Sequence, residues 1–550
     1  MAVRKASTLF APPAPAPQSS RGRAARIALI GVFLTLAMAR YLVAPLDRFD
    51  EGLTLTKAAM TAVGRVPYRD IWTTYGPLDA YLLAAAFKLI AFNVMVERAL
   101  GALVLVLFGI ATYALMRHLR LREPIRFLMT GLLTVCPLSL GTFNSPYLAI
   151  LLGLAALLAF MVSIDRGDGR WPVACGCLVG LVSFSRPEYA IALGGGLTIG
   201  YLVLALHRTT RNRGPLFGYL AGILAVSAAL WGAMIALAGF PPVWYEIVVH
   251  ATTLYARSRS IPFGQGDDAV VVIILGGASS VVWFFAILRA VRQRSDAAEL
   301  ARVVALLLAS ILAFTWVRTR ADGIHAFEAW PLTGVLLALL IERHARRRPP
   351  APPRFEAVAS IVGILLFCVA AGSLTLRDFI RPHFAAGIVR AGLAGERAWI
   401  PSTELAEVVG QIDAEVPVGQ PIWVGLQRND LVVFNDTTIY FLSGRDPGTA
   451  YYEALPGVTN TDTVEHTIAC QLALSGVSLA VLGPNTAPEP WNLSSVPGST
   501  YIDQWIAART VSRREIGPYS LLRLRPGVEP ADRCQSSGAA ALYPGSPATR

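Results

Sequence analysis

Long apolar runs separated by short clusters of arginine dominate the first two-thirds of the chain. Runs long enough to cross the ~30 Å of bilayer hydrocarbon fall at roughly residues 27–46, 98–116, 126–143, 147–164, 172–190, 190–206, 216–239, 269–288, 303–317, 329–341 and 356–374. They predict about eleven transmembrane helices. After Arg377 the pattern changes. An amphipathic helix is expected at 402–414, then strands at 421–425 and 438–442, a helix near 462–475, a strand at 478–482, a helix at 501–509 and a strand near 519–524. Such alternation predicts helices packed on a small sheet. The expected fold class is an α-helical polytopic membrane protein with a C-terminal α/β domain. Its parts are a disordered N-terminus at 1–26, a transmembrane domain at 27–376, a connector at 377–399, the α/β domain at 400–525 and a disordered tail at 526–550.

The cations set the orientation. Arg21/Arg23/Arg26, Arg117/Arg120/Arg122, Arg208/Arg211/Arg213, Arg289/Arg292/Arg294 and Arg343/Arg346/Arg347/Arg348 all fall on one side of the predicted spans. By the positive-inside rule that side is cytoplasmic. The N-terminus is then cytoplasmic, and a first outer loop at 47–97 and the α/β domain lie outside the cell's inner (plasma) membrane. The outer loop departs from the rule with Arg48, Lys57, Arg65, Arg69, Lys88 and Arg98, cations expected to serve an anionic ligand or lipid headgroups. Within it, 78–92 is apolar but short and carries Asp79 and Lys88, which suits a helix lying at the interface.

Composition agrees with a membrane protein: 54% of residues are hydrophobic, 15% are charged and mean hydropathy is +0.52. The net charge of +12 comes from the loop clusters, which points to anionic lipid rather than nucleic acid. Cys136, Cys175, Cys177 and Cys368 lie in apolar runs, whereas Cys470 and Cys534 lie in the C-terminal region and could pair in an oxidising compartment.

Candidate chemistry gathers at the outer boundary. Asp50 and Glu51 follow the first span, where a carboxylate can take a proton from a hydroxyl or hold a divalent cation. The bland alternative is that they cap a helix at 53–63. Arg69, Asp70, Trp72 and Tyr75 share the loop and combine aromatic faces with hydrogen-bonding groups, as sugar-binding surfaces do. Arg186, flanked by apolar sequence and followed by Pro187 and Glu188, Arg257 and Arg259, and Arg318, Arg320, Asp322 and His325 all lie at outer helix ends. Guanidinium groups there can hold a lipid phosphate; ordinary snorkelling is the alternative. No Walker A, dinucleotide-binding or zinc-protease motif occurs.

An Asp-Glu after the first span, then Val66-Pro67-Tyr68-Arg69-Asp70, then Gly76-Pro77-Leu78, resembles polytopic glycosyltransferases of the GT-C fold. The group includes lipid A aminoarabinose transferases and protein O-mannosyltransferases. Arg320-Ala-Asp322-Gly-Ile-His325 resembles a segment of uncharacterised bacterial members. Residues 400–525, with Arg428-Asn-Asp430, Asn435-Asp436 and Pro456-Gly457-Val458, resemble their C-terminal extension. The resemblance implies an enzyme that moves a sugar from a polyprenyl-phosphate donor to a hydroxyl of an envelope lipid, glycan or protein, usually with inversion. Asp50 matches the acidic residue that acts as base or positions the acceptor, and Glu51 completes the pair. Arg69, Asp70, Tyr75, Arg186, Arg257, Arg320 and His325 are the expected substrate contacts. Tyr75-Gly76-Pro77 stands where the aminoarabinose transferases have Lys-Pro-Pro, so their lysine contact to phosphate does not carry over. No cofactor is named by these motifs, and a divalent cation stays open, two carboxylates being too few ligands to argue one.

Two other classes fit parts of the pattern. A transporter or flippase for lipid-linked sugars would use the same cations, but transporters tend to carry repeats and midplane polar residues. A non-catalytic envelope-polymer scaffold would have no need of the loop carboxylates.

Overall fold

A computed structural model describes residues 46–346, apart from 122, 139–142, 208–211, 267 and 293–295, together with 389–393, 396–400 and 402–525. The expected spans at 27–46 and 356–374 and both predicted tails lie outside the described residues.

Two short helices open the described chain, α1 (Asp50–Ala62) and α2 (Leu78–Leu89). The bundle follows: α3 (Val94–His118), α4 (Glu123–Leu138), α5 (Ser145–Arg166), α6 (Arg170–Ser185), α7 (Pro187–Leu206), α8 (Gly214–Ala238), α9 (Ala269–Arg292), α10 (Ala297–Thr319) and α11 (Gly323–Arg346). Each expected span inside the described residues coincides with one of these. Seven of the described helices are long and apolar enough to cross a membrane, and α6 and the apolar part of α4 are shorter. Small residues let the helices approach closely, as is common in membranes. A Cβ at Gly196 would lie 2.4 Å from the Ala305 carbonyl oxygen, so glycine sets the α7–α10 distance.

The remaining elements form a hairpin, β1 (Val389–Leu393) with β2 (Glu396–Ile400), and an α/β unit. The unit contains α12 (Thr403–Glu415), β3 (Trp423–Leu426), α13 (Thr438–Ser443), α14 (Asp462–Leu474), β4 (Leu479–Gly483), α15 (Tyr501–Arg509), β5 (Thr510–Ile516) and β6 (Tyr519–Leu524). Its sheet has the order β3-β4-β6-β5, with β3 parallel to β4 and the other pairs antiparallel. The expected strand at 438–442 is instead helix α13. A six-residue apolar run does not distinguish strand from helix. Here Asp436 accepts from the Thr438 hydroxyl, and Gly444, at φ 61°, ends the helix in the left-handed region.

The α/β unit shares a core with the outer-loop helices. Leu55, Ala58 and Met60 of α1 and Leu83 and Phe87 of α2 pack in one cluster with Val408, Ile412, Ile422, Tyr440 and Val481. Gly52 permits this, because a Cβ there would meet Thr437 Oγ1 at 2.6 Å and the Thr438 nitrogen at 2.8 Å. Cations of the outer loop pair with carboxylates, one across this joint and two within the loop and bundle. Arg65 pairs with Asp446 at 2.9 Å, Lys57 with buried Asp79 at 3.0 Å, and Arg98 with buried Glu51 at 2.8 Å. Burying a cation without a partner costs roughly several kcal/mol, so the buried Lys57 and Arg98 each sit against a buried carboxylate. As expected of an interfacial helix, α2 leaves Leu82, Leu89 and nearby Ile90 and Phe92 exposed.

Candidate active site

Asp50 begins α1, and its side chain is free of the capping role. Asp47 Oδ1 accepts from the Phe49 and Asp50 amides at 3.0 and 2.6 Å. The Asp50 carboxylate makes no side-chain hydrogen bond among the described residues, and it is open to solvent while enclosed by protein. Both observations fit the wall of an interior crevice between bundle and α/β unit. Burial, with Asp47 and Glu328 adding to it, outweighs Arg259 and His325 and pushes Asp50 up to about 7.

Glu51, one residue on, faces the other way. Its oxygens accept from Arg98 Nε at 2.8 Å and Nη2 at 3.1 Å and from the Asp47 amide at 3.0 Å. It is 2% exposed. The two carboxylates expected to act together are therefore separated by the turn of the helix, one in the crevice and one in the core.

Around Asp50 the bundle supplies a charged ring. Arg186, between α6 and α7, pairs with Glu188 at 2.5 Å and with Glu328 at 3.3 Å, and its guanidinium lies 4.8 Å from the Tyr75 ring centre. Gly76 makes that stacking feasible: a Cβ there would lie 2.4 Å from the Phe184 carbonyl oxygen. Gly76→Ala is thus expected to push the Tyr75 loop away from Arg186 at a cost of about 1–3 kcal/mol, checked by thermal unfolding in detergent. His325 Nδ1 lies 2.6 Å from Asp322 Oδ1. Burial would raise Asp322, but His325 and Arg320 hold it well below the usual carboxylate range. Arg320 also donates to Glu489 at 2.8 and 3.0 Å, so it latches the bundle to the α/β unit.

Arg257 is exposed on the segment Phe240–Ser258. Its neighbour Arg259 faces the crevice instead. Arg259 donates to the Val433 carbonyl at 3.0 Å and lies 5.6 Å from the Phe49 ring centre. Glu453, in the α/β unit, is a second carboxylate there that the sequence did not single out. Burial pushes it up to about 7 against the pull of Lys57 and Arg259, with Asp50 adding to the rise.

Arg69 pairs with Asp70 at 2.7 Å and itself borders a neighbouring cavity of about 300 Å³, also lined by Tyr68, Trp72, Glu246 and Tyr451. A π-helical turn, Tyr245–His250, shapes its wall. There Glu246 accepts from Trp72 Nε1 at 3.1 Å and holds His250 at 2.9 Å, while His250 stacks on Trp72. The two spaces adjoin, since the Tyr68 hydroxyl donates to the Tyr75 carbonyl at 2.6 Å and the Tyr75 and Tyr255 hydroxyls are 2.9 Å apart. Among the described residues no group of three or more His, Cys, Asp or Glu is arranged to hold a metal ion.

Bundle and crevice together define a polytopic membrane protein whose polar site is roofed by an α/β unit. That architecture is GT-C-like. It is similar to the crystal structure of ArnT from Cupriavidus metallidurans bound to undecaprenyl phosphate, with a TM-score of 0.55 and 14% identity over 92% of this chain and 98% of that one. The apo ArnT structure matches equally, at TM-score 0.55 and 15% identity over the same 92% and 98%. The mycobacterial arabinofuranosyltransferase AftD matches at TM-score 0.46 and 14% identity, over 91% of this chain and 42% of that one. No family model and no curated protein matches the sequence.

Proposed function

We propose that the protein is a membrane glycosyltransferase that moves a sugar from a polyprenyl-phosphate donor to a hydroxyl of an envelope lipid, glycan or protein. The observation that carries this reading is Asp50: a carboxylate with no side-chain hydrogen bond among the described residues, pushed up to about 7, with Arg259 beside it and Arg186 held next to Glu328, a group that also acts on Asp50. Asp50 accepts the proton of the attacking hydroxyl. Arg186 and Arg259 stabilise the departing lipid phosphate, with Tyr75 and His325 beside them. The cavity at Arg69 and Trp72 takes the acceptor. ArnT, solved with undecaprenyl phosphate, supports a polyprenyl-phosphate donor on the same fold.

The roofed face is extracytoplasmic in this proposal. The arginine clusters cap the opposite ends of α3, α9 and α11. Cys470 in α14 is disulfide-bonded, as expected of an oxidising compartment; Cys534, its expected partner, lies outside the described residues.

Comparing envelope glycans and lipid-linked sugars in cells with and without the protein tests the reading. An accumulated polyprenyl-phosphate sugar with a missing decoration is expected, and unchanged pools of both would overturn it. Arg186→Ala is expected to weaken undecaprenyl phosphate binding about 10–100-fold, the loss of a charge-assisted contact, measured by titration of the purified protein.

A further inference from the structure

Glu453 combines features that the proposed roles leave unused. It is 9% exposed and makes no side-chain hydrogen bond or ion pair among the described residues. A buried carboxylate is costly without a partner, so a persistent one marks a place where a partner arrives from outside the protein. The loop that carries it is firmly held. Asn435 clamps it through the Tyr452 carbonyl and the Ala454 amide, both at 2.9 Å. The Trp72 amide donates to the Ala450 carbonyl at 3.1 Å, and Leu455 and Val458 pack on the Trp72 ring. The loop therefore roofs the aromatic cavity, which Ala450 and Tyr451 line.

The charged groups near enough to act on Glu453 are Lys57 and Asp50 of α1 and Arg259, just past the Phe240–Ser258 segment, and Glu453 in turn acts on Tyr75 of the outer loop; the Phe49 ring beside Asp50 lies 4.9 Å from the Phe434 ring of the α/β unit. Lys57 is held by Asp79 at 3.0 Å and Arg259 by the Val433 carbonyl at 3.0 Å, so neither cation neutralises Glu453 by direct contact. Asp50 in turn faces Asp47, Glu328, Arg259 and His325.

We propose that Glu453 is an acceptor-orienting residue, a carboxylate that the α/β unit lends to the crevice to bind a second hydroxyl of a polyhydroxylated acceptor. This rests on the glycosyltransferase reading and deepens it. A saccharide offers adjacent hydroxyls, and two carboxylates from opposite walls select which one reaches the base. The selected oxygen gives its proton to Asp50 and bonds to the anomeric carbon. The bond from that carbon to the lipid phosphate breaks, its electron pair leaving on the phosphate oxygen. Glu453 accepts a hydrogen bond from the neighbouring hydroxyl throughout and exchanges no proton.

Two measurements on the full-length protein test this separately from the reading beneath it. The first needs no substrate: thermal unfolding in detergent of wild type, Asp50→Asn, Glu453→Gln and the double variant at pH 5 and pH 8.5. If the two carboxylates share the crevice, each single variant raises Tm at pH 8.5 by about 2 °C, the double gains less than the sum, and the gains shrink at pH 5. Strict additivity at pH 8.5, or a Tm lowered by Glu453→Gln at both pH values, overturns the placement. The second is transfer in membranes of the producing cells, which contain native donor and acceptor. Glu453→Gln is expected to lower transfer about 10–100-fold, as for a lost hydrogen bond to a charged group, with partial rescue by Glu453→Asp. Unchanged transfer by Glu453→Gln where Asp50→Asn is inactive overturns the proposal alone, whereas full transfer by Asp50→Asn overturns the reading on which it rests.

Discussion

Asp50→Asn should lower sugar transfer about 10²–10⁴-fold, the range for loss of a general base, while the protein still folds. The amide keeps the shape of the carboxylate, and no side-chain hydrogen bond among the described residues is lost with its charge. The pH dependence carries a second signature. With Asp50 pushed up to about 7, the base is protonated below that value, so wild-type transfer should climb as pH rises through about 7. Stability should run the opposite way. A carboxyl raised in the folded state above its ordinary 3.8 favours folding fully only below that value, and the contribution is lost as pH rises through about 7. Asp50→Asn should therefore be at least as stable as wild type at pH 8, the trade expected where a site is built for activity. Full transfer with normal expression would remove Asp50 from the mechanism.

Much of the fold was legible because burial in lipid writes itself into composition. A stretch that must span ~30 Å of hydrocarbon can carry few charges, and the expected spans within the described residues emerged as helices. The exception in the α/β unit, 438–442, was a short apolar run whose state depends on Asp436 and Gly444 rather than on its own periodicity. The strand β5 escaped notice because most of it is exposed and lacks an apolar face.

The candidate site was legible only in part, for a different reason. Asp50, Tyr75, Arg186 and His325 drew notice because polar residues at apolar boundaries are conspicuous, and the structure brings them around one crevice. Arg257 and Arg259 could not be ranked from sequence, since a π-helical turn upstream shifts the phase of the helical segment that carries them. Glu453 gave no signal at all. It is a lone acidic residue in a loop of the α/β unit, and its importance comes from docking that loop on Trp72, about 380 residues away in the chain. The outer-loop cations were legible only as a charge excess: the buried carboxylates that pair with two of them, Asp79 with Lys57 and Glu51 with Arg98, are identified only by contact.

The adjacent carboxylates should consequently fail in opposite ways. Glu51→Gln leaves the Arg98 guanidinium, 2% exposed, facing a neutral amide in the joint between α1 and α3. Removing one partner of a buried pair costs about 3–5 kcal/mol, against at most about 1 kcal/mol for a surface pair. That is a large fraction of the stability of a folded domain, so the expected result is a strong fall in Tm and in recovered protein. Replacing both partners, as in Glu51→Leu with Arg98→Met, should restore most of the loss, because a buried guanidinium set against a neutral amide is what destabilises the single variant. Asp50→Asn should do the reverse, retaining stability and losing transfer. Thermal unfolding and transfer measured side by side on the three variants separate the roles. If Glu51→Gln instead kept the wild-type Tm and lost transfer, the base would be Glu51, and the Arg98 pair would have to open during the reaction.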